Sequence, residues 1–444
     1  MGSRAEQTAL PFIETNGRPR RVAIIDGVRT PFAKANTFYK EMTAIDLGII
    51  AVREAWQRAG LDPKEVDEVV YGTVVHSVVA PNIAREVTLG SGLPATVPAH
   101  TVSRACASAN QAITNAAESI SRGYADVVIA GGAEVLSDVP MLLGRRLRNT
   151  LVAASKAKSL GQRMKVLAGI RPRDLAPITP AIAEPTTGET MGQSAERMAK
   201  ENGISREAQD HWAARSHRLA AQGTEDGRLL QEITPVYVPP GFEEFIDRDN
   251  GIRTDTSEEK LAKLPPVFDK RYGSVTAGNA SPLTDGASAV VLMSEEKAKA
   301  LGYEPLGYIR SWAYSAIAPS GQLLQGPAYA APMALDRAGV SMKDIELMEM
   351  HEAFAAQVLS NLQALDSDEF ARRELGRDRK VGIPDEDRIN VMGGSIAIGH
   401  PFGATGGRLT ITLLREMQRR GQNLGLITVC AAGALGFAMV LERE

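Results

Sequence analysis

Cys106 and Cys430 are the only cysteines among 444 residues, and each sits in a run of small residues: Ser103-Arg104-Ala105-Cys106-Ala107-Ser108-Ala109 and Val429-Cys430-Ala431-Ala432-Gly433-Ala434. Small neighbours let backbone and substrate approach a sulfur closely, which suits thiol chemistry. A buried structural cysteine is the alternative reading for either residue alone. Two histidines keep similar company, His351 in Met350-His351-Glu352-Ala353-Phe354 and His400 in Ile398-Gly399-His400-Pro401. A thiol becomes a nucleophile when a base stands beside it, so these four residues together point to covalent catalysis.

The elements around them must bring them together. Cys106 follows an extended Thr101-Val102-Ser103 and precedes the helix-forming Ala107-Ser108-Ala109-Asn110-Gln111-Ala112-Ile113. The sulfur therefore belongs at a strand-to-helix turn, where unpaired N–H groups and the helix dipole are expected to lower its pKa and to receive an oxyanion. Gly399-His400-Pro401-Phe402-Gly403-Ala404-Thr405-Gly406-Gly407 reads as a similar turn.

An internal repeat relates the two turns. Ala59-Gly60-Leu61 and Lys64-Glu65-Val66-Asp67 are echoed by Ala338-Gly339-Val340 and Lys343-Asp344-Ile345-Glu346, at a constant offset of 279 residues. The Cys106 turn, a helix, Arg122-Gly123 and an apolar run are likewise echoed by the His400 turn, a helix, Arg420-Gly421 and an apolar run. Two copies of one αβ unit would set His400 across a pseudo-twofold axis from Cys106; chance similarity between αβ units is the competing explanation.

Within the copies, Val22-Ala23-Ile24-Ile25 reads as a strand, and residues 43–59 as a helix capped by Thr43 and stopped at Gly60. Val127-Val128-Ile129-Ala130 and Leu426-Ile427-Thr428-Val429 read as strands covered on both faces. Alternating strands and helices predict a layered α/β protein.

Between the copies, residues 141–272 read as an irregular, charge-rich insertion. Its first part, residues 144–173, carries Arg145, Arg146, Arg148, Lys156, Lys158, Arg163, Lys165, Arg171 and Arg173 without an acidic residue. Such a basic amphipathic stretch can bind an anionic membrane surface, a partner protein or a phosphorylated ligand; a solvated helix face is the plainer reading.

Composition narrows the classes. Hydrophobic residues at 44% and charged residues at 23% are those of a folded globular protein, and the net charge of −3 gives no field for nucleic acid. No stretch is long and apolar enough to span a membrane, and residues 1–20, with Pro11, Asn16, Gly17 and Pro19, lack a secretory core. Two cysteines without such a leader imply a reducing compartment, read as bacterial cytoplasm. Glu6 and Glu14 disfavour a mitochondrial transit peptide. The position four after His351 is Ala355, so the zinc-protease pattern fails, and no Cys/His spacing suggests a metal. No Walker loop or dinucleotide fingerprint is present.

With these residues in view, the chain resembles the thiolases, acetyl-CoA C-acyltransferases, over nearly its whole length. The matches are the Cys106 turn, Met191-Gly192 with Ser194-Ala195-Glu196, Thr276-Ala277-Gly278-Asn279-Ala280-Ser281 with Asp285-Gly286-Ala287, His351-Glu352-Ala353-Phe354, Gly399-His400-Pro401 with Gly403-Ala404, and Cys430 with Gly433 and Gly436. Two positions depart from the common pattern: His351, where thiolases commonly carry Asn, and Ala432, where they carry Gly. The histidine and the basic insertion are similar to the β-subunit of the trifunctional fatty-acid oxidation enzyme.

The resemblance implies a duplicated five-layered αβαβα fold with an inserted loop domain. Residues 1–140 and 273–295 would form the first half, 141–272 a domain over the CoA site, and 296–444 the second half. It implies Cys106 as nucleophile, His400 as its base, Cys430 as acid/base at the substrate α-carbon, and His351 with His400 as holders of an oxyanion. The backbone N–H groups of Cys106 and Ala432 would form a second oxyanion hole, and Met191, Ser281, Ala353 and Phe354 would meet CoA. Coenzyme A is implied as co-substrate, with no permanently bound cofactor and no metal. The implied partners are acyl-CoA, a second copy or more of the chain, and a hydratase/dehydrogenase α-subunit, with peripheral membrane contact through residues 144–173.

The expected activity is 3-ketoacyl-CoA thiolysis in fatty-acid β-oxidation. The alternatives are a biosynthetic acetoacetyl-CoA thiolase, a 3-ketoacyl carrier-protein synthase and a non-catalytic scaffold subunit. Cys430 speaks against the synthase, which needs no second thiol.

Overall fold

A computed structural model describes residues 19–178 and 182–444; the reading of residues 1–18 as non-secretory lies outside them. The first repeat runs β1 (Val22–Arg29), β2 (Ala33–Lys34), α1 (Ala44–Arg58), β3 (Glu68–Gly72), α2 (Ile83–Gly90), β4 (Ala99–Val102), α3 (Ser108–Ser121) and β5 (Val127–Glu134). It is completed by β8 (Thr284–Ser294) only after an excursion containing α4 (Arg145–Ser155), α5 (Leu160–Leu167), α6 (Met191–Glu201), α7 (Arg206–Glu225), the two-stranded β6 (Val236–Tyr237) and β7 (Phe245–Ile246), and α8 (Glu258–Leu261). Through α9 (Glu295–Leu301) the chain enters the second repeat: β9 (Gly307–Ala316), α10 (Gly326–Ala338), β10 (Leu347–Met350), α11 (Ala355–Leu365), α12 (Asp368–Glu374), α13 (Ser395–Ile398), α14 (Thr405–Arg420), β11 (Leu424–Ala431) and β12 (Leu435–Glu442).

The large sheet has the order β10-β11-β12-β9-β1-β8-β5-β3-β4. Reading outward from the β9–β1 seam gives β1-β8-β5-β3 on one side and β9-β12-β11-β10 on the other, the same unit twice. Even β4 has an echo, because Ile389 makes a lone parallel bridge to Met348 as Ala99 pairs with Val69 in β3. The offset of 279 residues survives here, since Met348 corresponds to Val69. Each half is mixed: the β1–β8 and β9–β12 pairs are antiparallel, while β3–β5 and β10–β11 are parallel.

Helices α3 and α14 pack on each other between the two sheet halves, while α1 with α2 and α10 with α11 cover the outer faces. This is the five-layered αβαβα arrangement. The middle layer explains why β5 is buried along its whole length and β11 nearly so. Local chemistry matches the global path at α1, where Thr43 and Asp46 form a capping box and Gly60 turns the chain at φ +65°.

Close approach of backbone fixes how the two halves meet. A Cβ on Gly132 of β5 would lie 2.0 Å from the carbonyl oxygen of Gly403, next to the His400 turn. Gly132→Ala is therefore expected to destabilise the protein by about 3 kcal/mol through overpacking, read as a lowered thermal midpoint. A wild-type midpoint would show that the seam can relax.

The excursion differs from the irregular insertion expected from its charge. Helix α7 spans 20 residues, and α6 and α7 both pack against α11 of the second repeat. Its buried face is largely polar, with Gln209, Asp210, Arg215, Ser216 and His217 inside. Such a face carries little of the apolar periodicity by which helices are read.

Candidate active site

Cys106 occupies the link between β4 and α3, two residues ahead of the helix. The preceding Ala105 adopts a left-handed φ of +44°, unusual for a residue with a Cβ. The turn is held by the N–H of Ala107 on the Arg104 carbonyl (3.0 Å) and the N–H of Ser108 on the Ala105 carbonyl (3.0 Å). Ser108 Oγ accepts the Arg104 N–H at 2.9 Å and donates to the Ala105 carbonyl at 2.7 Å. The half-buried Cys106 is thereby presented at the end of the middle layer, packed against its apolar core.

His400 sits on the second repeat's turn, just ahead of α14. Its N–H donates to Thr284 Oγ1 (2.7 Å) and its Nδ1 pairs with Thr405 Oγ1 (2.6 Å). His351 follows β10, its N–H bonded to the Thr428 carbonyl of β11 and its Nδ1 paired with Ser395 Oγ at 2.9 Å. The two imidazoles lie 3.9 Å apart, centroid to centroid. Their Nε2 atoms are buried and find no hydrogen-bond partner among the described residues. One donor atom from each of Cys106, His351 and His400 falls within 4.8 Å of the other two.

Chain spacing had suggested no such Cys/His cluster. The three residues come from three separate turns, so a pattern of local ligand spacing could not reveal them. Their convergence is what thiol activation requires: a sulfur facing imidazole nitrogens free to take or give a proton.

Electrostatics correct one expectation. The Cys106 thiol is not lowered by its helix; burial pushes it up to about 12, and the nearby Glu134 carboxylate adds to this. The backbone N–H groups of Ala432 and of Cys106 itself pull in the opposite direction. Desolvation of the thiolate outweighs these two N–H groups. The same burial lowers His400 to about 3 and His351 well below its ordinary value, with the Arg408 guanidinium adding to both and His400 adding to the shift of His351. The resting site thus holds a thiol beside two neutral imidazoles.

Cys430 lies on β11 and is buried. Its thiol is pushed up by burial and then by its neighbour Cys106. It shares an apolar cluster with Met191, Ala353 and the partly buried Phe354, Phe268 and Ala432. Ser281 joins the group through its N–H, which donates to the Ala353 carbonyl at 2.9 Å. Ala432 follows β11 at a tight turn in which Gly433 (φ +84°) and Ala434 (φ +57°) are both left-handed, aiming the Ala432 N–H at Cys106.

Several supporting residues had no role assigned from the chain. Glu352 accepts from Trp212 Nε1 (2.9 Å), Ser216 Oγ (2.7 Å), Asn390 Nδ2 (2.7 Å) and the Ile396 N–H (3.2 Å), tying α7 to the segment beneath the histidines. Glu134, raised to about 7 by burial, accepts the N–H groups of Val74, Val75 and Gly403 and so fixes the His400 turn. Two motif residues also act as braces. Glu196 holds Ser274 and Val275, and Asn279 holds Asp210.

With this geometry in place, comparisons supply its relatives. Residues 22–296 match the family described as thiolase, N-terminal domain, and residues 303–443 match thiolase, C-terminal domain. A protein of Pectobacterium atrosepticum named 3-ketoacyl-CoA thiolase is 52% identical over 433 residues, covering 98% of both chains. One of Serratia proteamaculans with the same name is 52% identical over 436 residues, covering 98% of this chain and 99% of its own. The crystal structure of the Bacillus anthracis acetyl-CoA acetyltransferase superposes with a TM-score of 0.82 at 34% identity, covering 96% of this chain and 99% of that one.

Proposed function

This chain belongs to the thiolase family of acyltransferases, and from that premise we propose that it is a 3-ketoacyl-CoA thiolase of fatty-acid β-oxidation. The observation that carries the reading is a thiol facing two unpartnered imidazole nitrogens, with a second thiol adjoining. In the proposed cycle Cys106 Sγ attacks the 3-keto carbon while His400 Nε2 takes its proton. The C2–C3 bond then breaks, and the acetyl-CoA carbanion is protonated at C2 by Cys430. Free CoA attacks the Cys106 thioester, its proton passing to Cys430, and the departing Cys106 sulfur recovers its proton from His400.

His351 and His400 face the oxyanion of one tetrahedral stage, and the N–H groups of Cys106 and Ala432 that of the other. Met191, Ser281, Ala353 and Phe354 contact the CoA portion of the substrate. Residues 1–140 with 273–295, and 296–444, act as the two catalytic halves, and 141–272 as the cover over CoA. The experiment is a thiolysis assay over a series of 3-ketoacyl-CoA chain lengths. Absence of acetyl-CoA with every chain length would refute the reading.

A biosynthetic acetoacetyl-CoA thiolase is the second reading, favoured by the likeness to the acetyltransferase structure. The assay separates the two, because that enzyme would cleave only the four-carbon substrate well. The pH response tests His400: an imidazole held at about 3 stays a base where an ordinary histidine is protonated. Acylation by acyl-CoA, followed by rapid quench, should therefore keep its rate from about pH 8 to about pH 6. A fall centred near the ordinary histidine value would show that the imidazole acting as base is not held low by its burial.

Among the described residues no helix is long and apolar enough to cross a membrane. We place the enzyme in the bacterial cytoplasm as a homo-oligomer, associated with a hydratase/dehydrogenase subunit and touching membranes peripherally. Helices α4 and α5 support the last point, with Leu151, Val152, Leu160 and Met164 exposed amid the basic residues. The protein should sediment with vesicles containing anionic lipid, losing this at high salt. Replacing Arg145, Arg146 and Arg148 by Gln should weaken the association and spare turnover; unchanged binding would remove α4 from the contact.

A further inference from the structure

The two facing histidines differ in one respect that decides what each can do. Each Nδ1 is paired with a single hydroxyl, and a hydroxyl has one proton to give. Thr405 Oγ1 has the Pro401 carbonyl, 3.0 Å away, as an acceptor for its proton. With the proton so placed it accepts from His400, which puts the proton of that neutral ring on Nδ1 and leaves Nε2 a bare lone pair.

Ser395 is arranged the other way. Its Oγ already accepts from Arg408 Nη2 at 3.1 Å, and a guanidinium can only donate. Arg408 is itself fixed by a buried ion pair with Glu349 at 3.0 Å. The Ser395 proton has the His351 Nδ1 as its acceptor at 2.9 Å, so His351 carries its own proton on Nε2. We propose that Ser395, backed by Arg408, and Thr405 are positioning residues that lock His351 and His400 into opposite tautomers, one offering N–H and the other a lone pair to the same space.

The arrangement is self-consistent. The rings are 3.9 Å apart and both Nε2 atoms are buried and unpartnered. Two bare lone pairs, or two N–H groups, brought together there would repel. Opposite tautomers make the cavity a donor beside an acceptor, which is what the acylation proposed above needs: His400 takes the thiol proton while His351 already donates to the forming oxyanion. The device answers a need that a histidine at position 351 creates. Asn, common at the position of His351 in thiolases, has a built-in N–H donor, whereas an imidazole must be told which nitrogen to protonate.

The inference rests on the proposed roles of the histidines, and its test separates the two. In 15N-histidine-labelled full-length enzyme, assigned with His351→Asn and His400→Asn, long-range 1H–15N spectra should show His351 protonated at Nε2 and His400 at Nδ1. The same tautomer at both, or the reverse assignment, overturns the proposal whether or not the enzyme performs thiolysis. In the thiolysis assay, Ser395→Ala should lower kcat about tenfold at unchanged KM for CoA, the order of one weakened oxyanion contact. Ser395→Thr should restore it. In the His351→Asn background, Ser395→Ala should change kcat by less than about twofold, because an amide has no tautomer to fix. An equal loss in both backgrounds would assign Ser395 to packing and overturn the proposal.

Discussion

Cys106→Ala is expected to abolish acyl transfer, with thiolysis falling by a factor on the order of 10⁴ or more, the scale seen when a covalent nucleophile is removed. Intact-mass spectra after incubation with an acyl-CoA should show no adduct, where the wild type gains one acyl group. The cause is chemical. Ala105 and Ala107 flank the sulfur, and the Ser108 hydroxyl of the same turn is committed to the Ala105 carbonyl. The fold should persist because alanine keeps the Cβ and relaxes nothing at Ala105, whose left-handed φ is set by the turn's own hydrogen bonds.

A second readout follows from the raised thiol. With a folded value of about 12 against an ordinary value of 9, the native state holds more protons than the unfolded chain between those limits. Stability from this group is complete below about pH 9 and is lost as pH rises toward 12. Cys106→Ala should flatten that alkaline decline in thermal melts. Normal thiolysis in the variant, or an acyl adduct on another residue, would sink the assignment of Cys106.

The raised thiol also marks where the chain stops being legible. A strand-to-helix turn at Cys106 was readable from Thr101-Val102-Ser103 and the helix-forming run after it, and the helix does begin at Ser108. The lowering expected from that turn is outweighed by desolvation, and the groups that do pull the thiol down are the N–H groups of Ala432 and Cys106. Desolvation depends on α3 and α14 closing the middle layer, a long-range packing that local sequence does not encode. The repeat was legible for a different reason. Lys64-Glu65 and Lys343-Asp344 each lie in a short 3-10 turn leading into the same strand of its unit, so topology kept sequence and structure in step.

The polar braces fared worst. Glu352, Arg408 and Ser395 hold the site through buried hydrogen bonds between distant segments, and nothing in their neighbours' identities announces the partner. Helix α7 was hidden by the same cause, since Ser216 Oγ and the indole N–H of Trp212 are directed at Glu352. Where polar partners replace apolar burial, the hydrophobic period that reveals a helix is thinned.

Cys430→Ala should separate the two halves of the reaction. The variant is expected to take an acyl group from acyl-CoA onto Cys106, yet to lose thiolysis by about 10³-fold, within the range that proton transfer by a positioned group supplies. Burial and the neighbouring Cys106 hold Cys430 in its thiol form at neutral pH, the form that can protonate a carbanion at C2. Cys430 also lies in the apolar cluster of Met191 and Phe354, so a proton source is set where water is scarce. Alanine there has the same Cβ and no proton, so the C2–C3 bond has no route to a neutral product. Acylation by acyl-CoA breaks only a thioester and needs no proton at carbon, and it should survive. Two outcomes would remove Cys430 from this role: thiolysis at the wild-type rate, or loss of acylation equal to that of Cys106→Ala. The first would mean that water or a histidine reaches C2. The second would mean that Cys430 shapes the Cys106 turn instead of moving a proton.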